Sequence, residues 1–252
     1  MNNYDKSHEV EWNEEKINNF WDYFVMNNGL LEFSFARETG KDIIKRVKKY
    51  IKKDGNNLDY GCGAGYLMDY LFTEGIACWG LDSSQKSLSV IEEKFKDNKL
   101  FKGGILTDGL PNKNIEDNTF DFLFSLETIE HILPEKLKST LGEMRRILKK
   151  GGYIFISTPS NENLDKYKVI CPDCAAIFHR VQHLNFFSKE KLSKIMQKVG
   201  FNTIKCESTL LKNSENLCGN LINKTKRIFR FLEEQLFNKK KFTPHLIYLG
   251  KK

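Results

Sequence analysis

The stretch that decides the fold reads LDYGCGAGYL, residues 58–67. It places Gly61, Gly63 and Gly65 at alternate positions directly after an apolar, strand-like run. Glycine has no Cβ, so it can turn the backbone sharply and let a ligand approach the main chain closely. The pattern therefore predicts a tight turn from a strand into a helix, where the free N–H groups of the helix start face a ligand.

Strand and helix patterns alternate beyond this turn. The sequence predicts strands at 56–60, 75–82, 99–104, 120–126, 152–158 and 201–209, helices at 64–75, 84–95, 135–149 and 188–200, and a closing strand within 242–252. Strands that alternate with helices of this length indicate a parallel sheet with helices on both faces. We therefore expect a doubly wound α/β domain.

The remaining segments frame this domain. Apolar residues at helical spacing predict two helices at 13–28 and 36–53, so residues 1–54 form a helical front or lid. Residues 55–252 form the main domain, which carries an inserted loop at 159–187 and an inserted basic helical segment at 211–240.

The net charge of +7 is concentrated at one end of the chain. Residues 222–252 contain nine Lys or Arg against two Glu, and the charges of the rest cancel. A uniformly basic nucleic-acid surface is not indicated, and the basic end is interpreted as a solvated helix face, a clamp for an anionic substrate or a weak membrane-surface patch.

Location and redox state follow from the same composition. The polar, acidic start and the short apolar runs differ from a signal peptide and from a membrane span, so we expect a cytoplasmic protein without membrane insertion. The six cysteines are scattered through a large chain, which favours reduced thiols.

A nucleoside site needs a ribose acceptor besides the turn. Asp82 lies at the end of the second predicted strand, 17 residues after Gly65, where its carboxylate can accept hydrogen bonds from both ribose hydroxyls. Tyr66 occupies the position at which a dinucleotide fingerprint has its third glycine.

The order Asp59-x-Gly61-x-Gly63-x-Gly65 resembles motif I of the class I S-adenosylmethionine-dependent methyltransferases. The resemblance extends to residues 110–132, to MRRILKKGGYIFISTP at 144–159 and to FFSKEKLSKIMQKVGF, and it looks most like the ubiquinone-biosynthesis and related small-molecule branch. It implies a Rossmann-like, seven-stranded sheet whose last strand is antiparallel.

The resemblance also implies which residues bind S-adenosylmethionine. Residues 59–65, with Cys62 among them, would wrap the methionine part, and Asp82 with Ser83 beside it would hold the ribose. Gly104 and Ile105 would flank the adenine, and Ser125 and Leu126 would offer backbone groups to the amino acid portion.

Catalytic candidates follow the fourth predicted strand of the alternation. His131 is the first choice for a general base, with Glu130 beside it, because a hydroxyl nucleophile benefits from proton removal. The alternative is that His131 only packs against the following turn.

A second motif reads C-x2-C-x4-H-x3-H and consists of Cys171, Cys174, His179 and His183. Four such ligands can close a tetrahedral zinc site. Alternatively, the cysteines are free thiols and His179 or His183 lines the acceptor pocket, which makes His183 a third catalytic candidate.

The sequence thus predicts an S-adenosylmethionine-dependent methyltransferase, a monomer or homodimer, with zinc as a possible second cofactor. The expected reaction is O-methylation of a small or carrier-linked, possibly anionic acceptor, such as a sugar, a phosphate-containing or nucleotide-linked precursor of a surface polysaccharide, or a quinone-type molecule. The alternatives are N-methylation of a small molecule, an NAD-dependent oxidoreductase, and a non-catalytic module that binds a cofactor or zinc.

Overall fold

A ten-strand, seven-helix arrangement is seen in the computed structural model, which describes residues 7–32, 34–107, 109–212 and 244–252. The described strands are β1 (His8–Glu9), β2 (Asn57–Tyr60), β3 (Cys78–Asp82), β4 (Phe101–Leu106), β5 (Phe120–Leu126), β6 (Leu148–Pro159), β7 (Lys168–Ile170), β8 (Ala176–His179), β9 (Asn202–Thr209) and β10 (His245–Lys251). The described helices are α1 (Glu14–Met26), α2 (Asn28–Leu31), α3 (Phe35–Val47), α4 (Tyr66–Thr73), α5 (Gln85–Phe95), α6 (Pro134–Ile147) and α7 (Lys189–Val199).

The main sheet has seven strands in the order β4-β3-β2-β5-β6-β10-β9. Strand β10 runs antiparallel to both neighbours, whereas the pairs among β2 to β6 are parallel. The predicted doubly wound, seven-stranded sheet with an antiparallel last strand is confirmed. The strand order reverses between β2 and β5, and ligands of such sheets bind outside the carboxyl ends of the strands at this point.

Apolar side chains fill both faces of this sheet, as predicted. One face packs against α6 and α7, whose buried residues include Leu141, Met144 and Leu192. The other face packs against α3, α4 and α5. Because both faces are covered, the carboxyl edge is the part of the sheet where its polar groups can meet a ligand.

A second sheet has three strands in the order β1-β8-β7. Its hairpin, β7 and β8, lies inside the segment that the sequence predicts to be a loop at 159–187. These strands have three and four residues, which is too short to produce a clear alternation in the sequence. Residues 8 and 9 pair with 176 and 177, so the start of the described chain is tied to the insertion.

The front of the chain has three helices, α1 to α3, where the sequence predicts two. The predicted basic helical segment 211–240 lies outside the described residues apart from Leu211 and Lys212. No helix in the described part of the chain combines the length and apolar character that a membrane crossing needs. The five described cysteines, Cys62, Cys78, Cys171, Cys174 and Cys206, are free thiols.

Candidate active site

The glycine turn joins β2 to α4 at the carboxyl edge of the sheet. Gly61, Gly63 and Gly65 all have positive φ values, of 79°, 49° and 72°. A Cβ on Gly61 would lie 2.6 Å from the side chain of Thr128, so a larger residue would collide there. A Cβ on Gly63 would have no described heavy atom within 4 Å. The main chain is therefore open at Gly63, where a ligand can reach it.

Two carboxylates lie beside this turn. Asp82 accepts hydrogen bonds from the N–H of Gly63 at its Oδ2 and from the N–H of Ser84 at its Oδ1, both at 2.9 Å. Burial raises the pKa of Asp82. Burial, and then the nearby charge of Asp82, raise the pKa of Asp59 to about 7. The pair would be stabilised by a ligand that brings positive charge or hydroxyl donors.

Two predicted binding residues direct their side chains away from the turn. Cys62 is buried in the apolar core, and its Sγ lies 3.0 Å from the position that a Cβ on Gly80 would take. Ser83 donates its hydroxyl to Asn18 Oδ1 of helix α1 at 2.9 Å. Only their main-chain groups remain available to a ligand at the turn.

The predicted adenine residues lie below the edge of the sheet. Strand β4 continues to Leu106, which pairs with Asp82, whereas Gly104 pairs with Gly80. A Cβ on Gly104 would lie 3.3 Å from Leu88 of helix α5. Gly104 thus allows α5 to pack closely on the strand. Leu106 and Thr107, rather than Gly104 and Ile105, lie level with Asp82, because the strand is longer than predicted.

The carboxyl ends of β5 and β6 carry buried hydroxyl groups. Ser125, Ser157 and Thr158 are fully buried, and none of their hydroxyl oxygens has a hydrogen-bond partner among the described residues. Leu126 ends β5, and Glu127 follows it with a positive φ of 47°. Such unsatisfied groups are unusual in a folded interior and mark a place where water, an ion or a ligand is accommodated.

Helix α1 lies across this edge. Asp22 accepts a hydrogen bond from the Ser84 hydroxyl at 2.5 Å, and Asn18 accepts one from Ser83. At the other side of the helix, Trp21 Nε1 donates to Gln182 Oε1 at 2.9 Å. The helix therefore bridges the end of β3 and the segment that follows β8, and it shields the edge from water.

A histidine cluster lies beneath Trp21. The ring of His131 is 4.6 Å from the Trp21 ring and 4.8 Å from that of His183, centroid to centroid. His131 Nδ1 lies 3.3 Å from the carbonyl oxygen of Gln182, which can only accept, so Nδ1 carries the proton. Burial, and then the proximity of His183, lower the pKa of His131 to about 3. His131 is therefore neutral at neutral pH, with its lone pair at Nε2.

Glu130 lies next to this cluster in the interior. It is completely buried, and neither carboxylate oxygen forms a hydrogen bond of standard geometry with the described residues, although the Thr158 hydroxyl lies near it. Its Oε1 is 3.9 Å from His131 Nε2. Burial, and then the charge of Glu127, raise its pKa well above the usual range. The structure thus brings the three catalytic candidates together.

Glu162 adds a second carboxylate that the sequence does not single out. Its Oε2 is 2.5 Å from His183 Nδ1, and its Oε1 is 3.7 Å from His179 Nε2. Together with Trp12 and Phe178, these residues line a cavity of about 520 Å³. His183 is therefore shared between this cavity and the cluster around His131.

The structure does not bring the four predicted zinc ligands together. Cys171 and Cys174 lie in the turn between β7 and β8, whereas His179 pairs with Lys168 at the other end of the hairpin. Three residues of strand, about 10 Å, separate position 168 from position 171. Each group of three candidate ligands among the described residues contains only His and Glu. The alternative of free cysteines agrees with this arrangement.

The residues missed by sequence analysis come from distant segments. Asn18 and Asp22 are four residues apart on the polar side of α1, a signal that marks a helix face but not its partner. Glu162 and Gln182 lie in loops, where hydrophobic periodicity gives no information. Only the folded chain shows that Glu162 meets His183, that Gln182 meets His131, and that Asn18 and Asp22 meet Ser83 and Ser84.

Comparison with known proteins fits this geometry. The family described as "Methyltransferase domain" matches residues 33–205, more than half of the chain. The chain belongs to this methyltransferase family. It is a class I, S-adenosylmethionine-dependent enzyme. The two other functions considered from the sequence, an NAD-dependent oxidoreductase and a non-catalytic binding module, are therefore not retained.

Similar proteins are methyltransferases of several kinds. A ubiquinone biosynthesis O-methyltransferase of Pelagibacter ubique is 31% identical over 110 residues, which are 44% of each chain. A demethylmenaquinone methyltransferase of Staphylococcus saprophyticus is 26% identical over 207 residues, 72% of this chain and 84% of that protein. The crystal structure of a SAM-dependent methyltransferase from Archaeoglobus fulgidus has a TM-score of 0.57 at 24% identity, and covers 84% of this chain and 92% of its own. This structural likeness supports the fold.

Proposed function

We propose that this methyltransferase methylates an oxygen atom of a small-molecule acceptor bound beside His131. The observation that carries the proposal is the neutral His131, whose Nε2 lone pair lies at the carboxyl edge of the sheet under helix α1. The O-methyltransferase named above supports the assignment to oxygen.

The glycine turn and the two carboxylates beside it would hold S-adenosylmethionine. The open main chain at Gly63 allows close approach, and Asp59 and Asp82 suit the cationic groups and the ribose hydroxyls of this molecule. The main chain at Cys62, Ser83, Ser125 and Leu126 completes the proposed site, with the adenine near the end of β4. When bound, S-adenosylmethionine supplies a methyl group that its sulfonium already activates.

The work left to the protein is alignment and exclusion of water. Helix α1 covers the edge through Asn18, Trp21 and Asp22. The acceptor hydroxyl would donate to His131 Nε2, its oxygen would form the new bond to the methyl carbon as the carbon–sulfur bond breaks, and its proton would leave to solvent. A pKa of about 3 makes His131 a poor store for that proton, so its role is to accept a hydrogen bond and orient the hydroxyl.

The proposed acceptor is a small or carrier-linked molecule. The net positive charge of residues 222–252 favours an anionic one, such as a phosphate-containing or nucleotide-linked sugar, and the relatives in quinone biosynthesis favour a quinone-type ring. A sugar offers an alcohol hydroxyl as the methylated group, and the reduced, quinol form of a quinone-type ring offers a phenolic one.

Calorimetric titration with S-adenosylmethionine, S-adenosylhomocysteine and NADH tests the cofactor site. Binding of the first two is expected to weaken at least tenfold in Asp82→Asn, about 1.4 kcal/mol, because the acid that faces the turn is lost. Asp121→Asn is the matched control, since Asp121 lies at the opposite end of a strand and pairs with Lys52 and Lys149. Equal affinities in both variants would overturn the proposed cofactor site.

A second assay tests the acceptor atom. Isotopically labelled methyl transfer to a panel of phenols, sugar nucleotides and amines, followed by NMR of the product, distinguishes O-methyl from N-methyl groups. Turnover confined to amines would refute the assignment to oxygen and leave the cofactor site intact.

A further inference from the structure

We propose that Glu130, His131 and His183 hold one divalent transition-metal ion beside the proposed acceptor site. One ligand atom from each residue lies within 4.8 Å of the others. Two histidine nitrogens and one carboxylate oxygen form a donor set that suits Zn²⁺ and other first-row divalent ions. This set differs from the zinc motif of the sequence, since it contains neither cysteine nor His179.

The first support for the metal site is the burial of the Glu130 carboxyl group. The side chain is completely buried, and neither oxygen forms a hydrogen bond of standard geometry with the described residues, although the Thr158 hydroxyl lies near it. The neighbouring acids are paired, Glu127 with His245 at 3.3 Å and Glu162 with His183 at 2.5 Å. An ionised Glu130 would be a buried charge that the neutral Thr158 hydroxyl does not compensate. A metal ion bound to the carboxylate supplies the missing positive charge.

The second support for the metal site is the tautomer that each of the two histidines adopts. A histidine ligand usually donates its other ring N–H to a carboxylate or a backbone carbonyl. His131 donates Nδ1–H to the carbonyl of Gln182, and His183 donates Nδ1–H to Glu162. Each therefore keeps a lone pair at Nε2. Glu162 and Gln182 act as positioning residues that fix these tautomers.

His179 shows the contrast within the same cluster. Its Nδ1 accepts hydrogen bonds from the backbone N–H groups of Val181 at 3.4 Å and His183 at 3.2 Å. Its Nε2 must then carry the hydrogen and has no lone pair for a metal. His179 is therefore placed outside the metal site, although its ring stacks on that of His183 at 4.5 Å.

Hydrogen bonds to the carbonyl groups of Glu130 and His131 hold these two ligands in place without the ion. Leu184 and Asn185 donate their N–H groups to the carbonyl of Glu130 at 2.8 and 3.0 Å. The side chain of Gln182 donates to the carbonyl of His131 at 3.1 Å. The distance of 3.9 Å between Glu130 Oε1 and His131 Nε2 exceeds by about half an ångström the roughly 3.4 Å expected of two tetrahedral ligands.

Three protein ligands leave at least one coordination position open. With the ion bound, His131 Nε2 is a metal ligand and no longer accepts the acceptor hydroxyl directly. A hydroxyl bound at the open position would instead ionise more easily and release its proton to water, as metal-bound water does. This role in catalysis rests on the proposed function, whereas binding of the metal does not.

Metal binding to the full-length, chelator-treated protein tests the site. Titration with Zn²⁺ by calorimetry and with Co²⁺ by visible absorption should give one equivalent of metal, without a thiolate charge-transfer band. Affinity is expected to fall at least tenfold in His131→Gln, His183→Gln and Glu130→Gln. The controls His179→Gln and Cys171→Ser/Cys174→Ser should retain the wild-type affinity within about threefold.

Thermal unfolding separates loss of the site from loss of the fold. Glu130→Gln removes a buried acid without a partner, so the metal-free variant should be at least as stable as the metal-free wild type, yet Zn²⁺ should no longer raise its Tm. The proposal is overturned if the wild type binds no stoichiometric metal, if Glu130→Gln keeps the Zn²⁺-dependent rise, or if only the cysteine variant loses binding. These readouts do not require methyl transfer, so a failed methylation assay leaves them interpretable.

Discussion

The glycine turn and the histidine cluster lie at the same edge of the sheet, but the chain builds them differently. The turn is assembled from residues 59–65 with Asp82 close by in sequence. The cluster joins Trp21, His131, Glu162 and His183, which come from four separate segments. A local motif can be read from sequence because its geometry depends on adjacent backbone angles. An assembled cluster depends on which loops meet.

The largest expected effect concerns the turn. Gly65→Ala places a Cβ at a φ of 72° and 2.7 Å from the ring of Phe95. Left-handed backbone strain and overpacking together should lower the free energy of unfolding by about 2–4 kcal/mol and abolish binding of S-adenosylmethionine. Urea denaturation and calorimetry measure the two effects.

Gly63→Ala is the matched control for that substitution. Its φ of 49° is also left-handed, but a Cβ there meets no described heavy atom within 4 Å. We expect a loss of only about 1 kcal/mol in stability, with weakened cofactor binding. Equal destabilisation of both variants would show that packing against α5 does not distinguish the two glycines.

The local features of the fold are the ones that the sequence predicts correctly. The order of strands and helices in the main sheet, the tight turn and the position of Asp82 at the end of β3 agree with the prediction, because periodicity and strand-end position are local properties. The end of β4 differs from the prediction: the strand ends at Leu106 rather than at Gly104, so Gly104 lies two residues before the edge. The zinc motif is divided by a hairpin, because spacing alone does not reveal that Cys171 and His179 lie at opposite ends of paired strands.

Asp59 tests the electrostatics of the turn. Its pKa of about 7 in the folded state exceeds 3.8, its ordinary value, so the folded protein binds this proton more tightly than the unfolded chain. Stability from this group is full below about pH 4 and is lost as pH rises to about 7, by about 2–4 kcal/mol. Urea denaturation between pH 5 and 8 should show a shallower decline in Asp59→Asn than in the wild type.

Asp121→Asn is the control for the pH series. Its partners Lys52 and Lys149 hold the pKa of Asp121 below its usual range despite partial burial. Its contribution is therefore present above the unfolded pKa and is lost only in acid. The slope between pH 5 and 8 should match that of the wild type, and a flattened slope would contradict the assignment to Asp59.

Trp21 tests the cover over the histidine cluster. Trp21→Leu removes the hydrogen bond to Gln182 and the ring contact with His131. The acceptor KM should rise about tenfold, whereas the affinity for S-adenosylmethionine should change less than threefold, because the turn is held by other contacts. Tyr23→Leu on the same helix, where the side chain is 67% exposed, should change neither constant.

The smallest expected effect compares two helix caps of the same type. Ser84 caps α5 by accepting from Ser87 N–H and also donates to Asp22 of α1, whereas Ser188 caps α7 through Lys191 N–H. Replacing either by Ala should cost about 1 kcal/mol of stability, measured by urea denaturation. Only Ser84→Ala also loosens α1 over the edge, so it alone should raise the acceptor KM, by about two- to threefold. If Ser188→Ala raised the KM equally, the change would reflect lost stability rather than a contact between the sheet edge and its cover.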